Sequence, residues 1–221
     1  MIKLALELFV VSSMQIAVID HGFANLGSLT NILICLGYNP QVISSHSEFT
    51  HQKKFSGFIL PGVGAFGPAM KSLRSKKLDI VIDKLVQQQC RGMGICLGMQ
   101  MLSSGSEEDD YDEPGLGYFS GYVRKLPAVN ANVPHIAWSE TFASTKNSDL
   151  RKLLAGAFYY IHSYAYEALD NSSEVVAKFS HGNINATAAI HSGHLLGVQF
   201  HPEKSQGLGL ALLKDYFTTN L

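Results

Sequence analysis

The chain is poor in the features that mark secreted, membrane-bound or nucleic-acid-binding proteins. Its three cysteines, Cys35, Cys90 and Cys96, do not make a disulfide framework. They fit a reducing cytosol, where a single thiol can be kept for chemistry. Charged residues are only 16% of the total and the formal net charge is −1, so no global field points to nucleic acid or to an anionic membrane. The apolar opening, MIKLALELFVVSS, is too short to span a bilayer and is interrupted by Glu7. It also lacks the small-residue cleavage pattern of a signal peptide. We therefore expect residues 1–13 to be an extra N-terminal segment, read from an upstream start codon, with the fold running from Met14 to Leu221. There is no internal repeat and no low-complexity linker.

What is present is core material: 46% of the 221 residues are hydrophobic, enough for one sizeable domain. Gln15–Asp20 reads as a compact strand, and Asn25–Leu36 carries apolar residues at helical spacing before Gly37, a natural helix terminator. Pro40–Ile43 and Gly57–Leu60 read as strands, Ala65–Gln89 as helix with a break near Lys76–Lys77, and Gly92–Ile95 as a strand followed by a helix from Leu97. Strands alternating with helices predict an α/β fold with a mostly parallel central sheet flanked by helices. In the second half, Leu116–Leu126, Phe158–Ala165, Val175–Phe179, Thr187–Ile190 and Leu195–Phe200 predict added antiparallel strands, closed by a helix around Gly207–Thr219. The acidic stretch Glu107–Glu113 lacks regular ligand spacing and reads as a solvated loop, not a metal site.

Cys96 lies in Gly94-Ile-Cys-Leu-Gly98, a nucleophile elbow with sulfur in place of hydroxyl. The sharp turn needs small residues two before and two after the nucleophile, because side chains there would strike the neighbouring strand and helix. A cysteine at a helix N-terminus also meets free N–H groups that favour the thiolate. The other reading is a buried cysteine packed as a small hydrophobe. Alone, the elbow does not choose between them.

A thiol nucleophile needs a base, and the base needs an orienting group. Among nine histidines, His201 stands out because it ends the apolar strand Gly197-Val-Gln-Phe-His201. Strand ends are where α/β sheets carry their sites. Pro202 keeps His201 extended, and residues two apart in extended chain face the same way, so Glu203 can reach the imidazole. An oxyanion hole needs two donors; one is the backbone N–H of Leu97, and Leu60-Pro-Gly-Val-Gly64 could present a second. Gly62-Val-Gly-Ala-Phe-Gly67 also matches the dinucleotide pattern G-x-G-x-x-G. The region about 20 residues on is helical, where that fold needs a strand ending in an acidic residue, which argues against dinucleotide binding.

Gly94-Ile-Cys-Leu-Gly-Met-Gln100, Pro61-Gly-Val-Gly64 and His201-Pro-Glu203 together resemble a class I (triad) glutamine amidotransferase. With Gly22-Phe-Ala-Asn-Leu26, Pro134-His-Ile-Ala-Trp138, His162-Ser-Tyr164 and Gln199-Phe-His-Pro-Glu-Lys-Ser205 added, the resemblance narrows to the glutaminase subunits of imidazole glycerol phosphate synthases. It extends from Met14 to the C-terminus.

The resemblance implies a flavodoxin-like fold and a role for each matching residue. Cys96 would attack the glutamine amide and form a glutamyl thioester, His201 would relay protons, and Glu203 would orient the histidine. The N–H of Leu97, with one from Val63–Gly64, would hold the oxyanion after that segment reorients. Gly62, Gln100, Ser163 and Tyr164 would bind glutamine. The ammonia would pass to a partner, a (β/α)8-barrel synthase subunit in a cytoplasmic heterodimer, with Asn25, Trp138, Tyr159 and Lys204 at the interface. No cofactor or metal is implied. Gln100 could instead face solvent, His162-Ser-Tyr164 could simply pack in a strand, and the single tryptophan could belong to a core.

The turn Asp20-His-Gly-Phe-Ala24 has no proline, and Ser139 follows Trp138 where asparagine is commoner in the family. These departures leave the acceptor of the ammonia open. A paralogue serving a partner that amidates nucleotide-linked sugars would share the same motifs. A cysteine peptidase of a related fold would not place His-Pro-Glu after such a strand, and a degenerate binding subunit would not keep all three triad members.

Overall fold

The computed structural model describes residues 14–49, 54–109, 112–169 and 174–219. The expected extra segment, residues 1–13, lies outside them. In the first half, β1 (Gln15–Ile19), β2 (Asn39–Ile43), β3 (Gly57–Leu60) and β4 (Arg91–Ile95) alternate with α1 (Leu26–Cys35), α2 (Phe66–Ser75) and α3 (Leu78–Gln87). A short α4 (Leu97–Met101) follows β4 directly. Next come β5 (Gly105–Ser106), β6 (Gly121–Lys125), β7 (His135–Ala143), α5 (Ser148–Leu154), β8 (Gly156–His162) and β9 (Tyr164–Ala168). The chain closes with β10 (Val175–His181), β11 (Ile184–Ser192), β12 (Leu195–Val198) and α6 (Gln206–Asp215).

The nine-stranded sheet has the order β2-β1-β3-β4-β12-β11-β10-β7-β8. Its first five strands pair in parallel, the 2-1-3-4-5 order of flavodoxin-like folds, and the rest run antiparallel. A second sheet, β5-β6-β9, sits apart. Alternate side chains of β1 feed two cores. Ile16 and Val18 join Leu29, Leu33, Leu212 and Leu213 of α1 and α6. Ala17 and Ile19 join Met70, Leu73, Val81 and Leu85 of α2 and α3. Burial on both faces is why this strand reads as an unbroken apolar run.

Local signals act as the residue types predict. Gly37 (φ 88°) ends α1 in a Schellman turn, with Tyr38 N–H donating to Leu33 O and Gly37 N–H to Ile34 O. Lys77, in left-handed conformation at φ 55°, separates α2 from α3 at the expected break.

The second half departs from expectation in four places. Strand β7 was not anticipated, because its apolar residues Ile136, Trp138 and Phe142 face outward while His135, Ser139 and Thr141 face the core side. Helix α5 was missed too; its start is set by the Asn147 side chain, which accepts from the N–H groups of Asp149 and Leu150. The expected strand Phe158–Ala165 is two strands, and the chain crosses from the large sheet to the small one at Ser163. Leu116–Leu126 shortens to β6, since the N–H groups of Leu116, Gly117 and Tyr118 turn to carbonyls of Met101, Ser103 and Leu102. Among the described residues no helix is long and apolar enough to cross a membrane.

Candidate catalytic site

Cys96 occupies the turn between β4 and α4 with φ 52° and ψ −109°, outside the regions L-residues favour. Its N–H donates to Val198 O at 2.8 Å, fixing the end of β4 against β12. The flanking glycines are sterically required. A β-carbon on Gly98 would lie 1.7 Å from Leu60 O, and one on Gly94 would lie 2.8 Å from the Met99 backbone. The collision argued from the sequence is therefore present, and it falls on β3 and α4.

His201 follows β12 and is buried, with Nδ1 at 2.7 Å from Glu203 Oε1. A carboxylate only accepts, so the proton of this bond sits on Nδ1. Nε2 is also buried and makes no hydrogen bond to a described residue. Burial alone would lower the His201 pKa, but the neighbouring Cys96 and Glu203 outweigh it and drive it up. The imidazole therefore holds a proton readily beside a sulfur that can carry negative charge.

A cavity of about 350 Å³ opens on Cys96, lined also by Val63, Gly64, Gln100, Ser163, Tyr164 and Lys204. Gln100, expected either on the substrate or in solvent, is buried, and its Nε2 donates to Tyr164 O at 2.9 Å. The expected oxyanion donors are engaged with protein carbonyls. Leu97 N–H points to Gly62 O at 3.3 Å and Val63 N–H to Phe23 O at 2.8 Å. A larger cavity, about 700 Å³, lies where β6 and β9 face β10 and β11, and it contains none of these residues.

The family model described as "Glutamine amidotransferase class-I" matches residues 17–219. The chain belongs to this family.

The imidazole glycerol phosphate synthase subunit HisH of Thermosynechococcus vestitus is 37% identical over 209 residues, which is 93% of this chain and 97% of that protein. The HisH subunit of Moorella thermoacetica is 39% identical over 202 residues, covering 91% and 93% of the two chains. The structure of PurLQS from Thermotoga maritima superposes with a TM-score of 0.69 at 18% identity, over 93% of this chain and 96% of that one, a likeness of fold.

In this amidotransferase the four residues expected at a partner interface form a run of neighbours that reaches the His201–Glu203 pair. The Trp138 and Tyr159 rings lie 6.0 Å apart, and Lys204 Nζ lies 5.9 Å from the Tyr159 ring. Asn25 shares a small cavity with Glu203 and Lys204, and it caps α1 by accepting from Ser28 N–H. Trp138 is 47% exposed, so it does not belong to the core.

Sequence reasoning missed Glu108. The acidic stretch is not simply a solvated loop: Glu108 lines the Cys96 cavity and accepts from Phe66 N–H at the start of α2, while Glu113 pairs with Arg74 and Lys71. A carboxylate near the nucleophile was hidden by its acidic neighbours. His21 and Gln199 were also overlooked. Buried His21 donates from Nε2 to Pro61 O, tying the β1–α1 turn to the glycine turn at 61–64. Among the described residues no cluster of three or more His, Cys, Asp or Glu could hold a metal ion.

Proposed function

We propose that this chain is the glutaminase subunit of an imidazole glycerol phosphate synthase, supplying ammonia for histidine biosynthesis. The observation that carries the reading is the alignment with HisH subunits along more than nine-tenths of the chain. The chemistry around Cys96 supports it.

In this reading the amidotransferase domain runs from residue 14 to 221. Glutamine enters the Cys96 cavity with its amino-acid end toward Gln100, Ser163 and Tyr164, whereas Gly62, also expected to bind it, lines the small cavity beside His201 and Glu203. Glu108, which lines the same cavity, supplies a countercharge for the α-ammonium. His201 takes the thiol proton at Nε2 while Glu203 holds Nδ1. The thiolate attacks the amide carbon, and the oxyanion is met by N–H groups of Leu97 and the Val63–Gly64 segment once that turn is released. The C–N bond breaks, the proton returns to nitrogen, and ammonia leaves a glutamyl thioester. Water, activated by His201, then hydrolyses the thioester to glutamate and frees the thiol.

The ammonia must not meet bulk water, where it would be protonated and lost. A (β/α)8-barrel synthase subunit docked over Asn25, Trp138, Tyr159 and Lys204 would seal the exit, in a cytoplasmic heterodimer. An exposed tryptophan packed on half-buried Tyr159, with a lysine beside it, suits such an anchor. The test is to mix the chain with the barrel subunit of its own cell and follow glutamine-dependent formation of imidazole glycerol phosphate. Product formation is expected. Stable pairing with a sugar-amidating synthase instead would overturn the acceptor.

A further inference from the structure

Gln199 is fully buried and its side chain touches both halves of the site. The parallel register Val198↔Ile95 sets Gln199 beside Cys96, and its own N–H is fixed to Ala188 O at 2.8 Å. Its Oε1 accepts from Gln100 Nε2 at 3.2 Å, and its Nε2 donates to Cys96 Sγ at 3.6 Å. The amide orientation follows from the network. Gln100 Nε2 is a donor held by Tyr164 O and Gln199 Oε1, so the Gln199 NH2 must face the sulfur.

We infer that Gln199 is a positioning residue that steadies the Cys96 thiolate by N–H donation and links it, through Gln100, to the Tyr164 wall of the amino-acid pocket. The inference rests on Cys96 being the nucleophile. A hydrogen bond to an ionised acceptor is stronger than one to a neutral acceptor, so this contact favours thiolate over thiol. A purely structural amide would satisfy Gln100 and leave the sulfur's ionisation unmoved.

The test is the pH dependence of Cys96 alkylation by iodoacetamide in the full chain, read by mass spectrometry of the Cys96 peptide so that exposed Cys35 is counted apart. In Gln199→Met, which keeps the bulk but loses the donor, the alkylation midpoint should rise by about one pH unit, a tenfold loss of thiolate below the midpoint. In Gln199→Glu, nearly isosteric, an ionised carboxylate beside the sulfur should raise it further. Folding of each variant is checked by thermal unfolding. Midpoints within about 0.2 pH unit of the parent in a folded variant would overturn the inference. If neither variant folds, the nitrogen-15 signal of the Gln199 side-chain amide in the unsubstituted chain decides. It should titrate with the Cys96 midpoint, and a constant signal overturns the inference. Failure of the nucleophile reading looks different: Cys96→Ala in the partner complex would still hydrolyse glutamine.

Discussion

Val63 donates its backbone N–H to Phe23 O at 2.8 Å, across two loops that both end at the candidate site. The bond holds the glycine turn in a form where one expected oxyanion donor is spent on the protein. Phe23 is two residues from Asn25, so a partner gripping Asn25 sits next to the latch. The isolated chain should therefore hydrolyse glutamine slowly, and adding the synthase subunit should raise kcat by about a hundredfold or more, the usual worth of an oxyanion donor. Glutamate release with and without the partner measures this. Full turnover by the chain alone would contradict it.

Cys96→Ala should abolish glutamine-dependent product formation in the complex while synthesis from added ammonium salts continues. The two rates, measured on one preparation, separate loss of the nucleophile from loss of the partner. A variant still using glutamine would remove Cys96 from the role proposed.

The elbow gives a steric test with an internal control. Gly98→Ala would put a β-carbon 1.7 Å from Leu60 O, which no rotamer can relieve. We expect a loss of about 3 kcal/mol or more in urea unfolding. Gly27→Ala, in the first turn of α1 with nothing within 4 Å of the added carbon, should gain about 0.4–1 kcal/mol. Equal effects at the two sites would mean that β3 and α4 do not approach as described.

His162 is buried beside the cavity, and burial pushes its pKa down to about 3. The unfolded chain titrates this histidine near 6.5, so between 6.5 and about 3 the unfolded state binds more protons than the folded one. Its contribution to stability is intact above pH 6.5 and falls as the pH drops through that window. Urea unfolding of the parent from pH 7.5 to 5 should show the decline, and His162→Gln should make it shallower, leaving the part due to His21, His135 and His191, whose pKa values burial also lowers. A parallel slope in the variant would assign the acid sensitivity to other groups.

The parallel half of the fold was legible because Ile16–Ile19 of β1 and Gly57–Leu60 of β3 are buried on both faces, and because α1 ends at Gly37 and α2 breaks at Lys77. The second half was harder. In β7 the usual rule is inverted: Ile136, Trp138 and Phe142 point outward and His135 and Thr141 inward, so alternation was present but gave no apolar inner face. The Cys96 elbow, His201 and Glu203 were readable because each is fixed by local chemistry. Glu108 and Gln199 were not. Their contacts depend on which strands pair and where loops fold back: Gln199 stands in the motif around His201, yet only the pairing of β4 with β12 brings it to Cys96.

The backbone angles of Cys96, φ 52° and ψ −109°, are the mirror image of an ordinary extended conformation. Glycine would rest there without penalty, whereas an L-residue carries about 1–3 kcal/mol of strain. The chain thus holds the thiol proposed as its nucleophile at the one point of the turn where a side chain is least welcome. Exchanging Cys96 for glycine should yield a sturdier protein with no chemistry, so reactivity and durability are opposed at this single position.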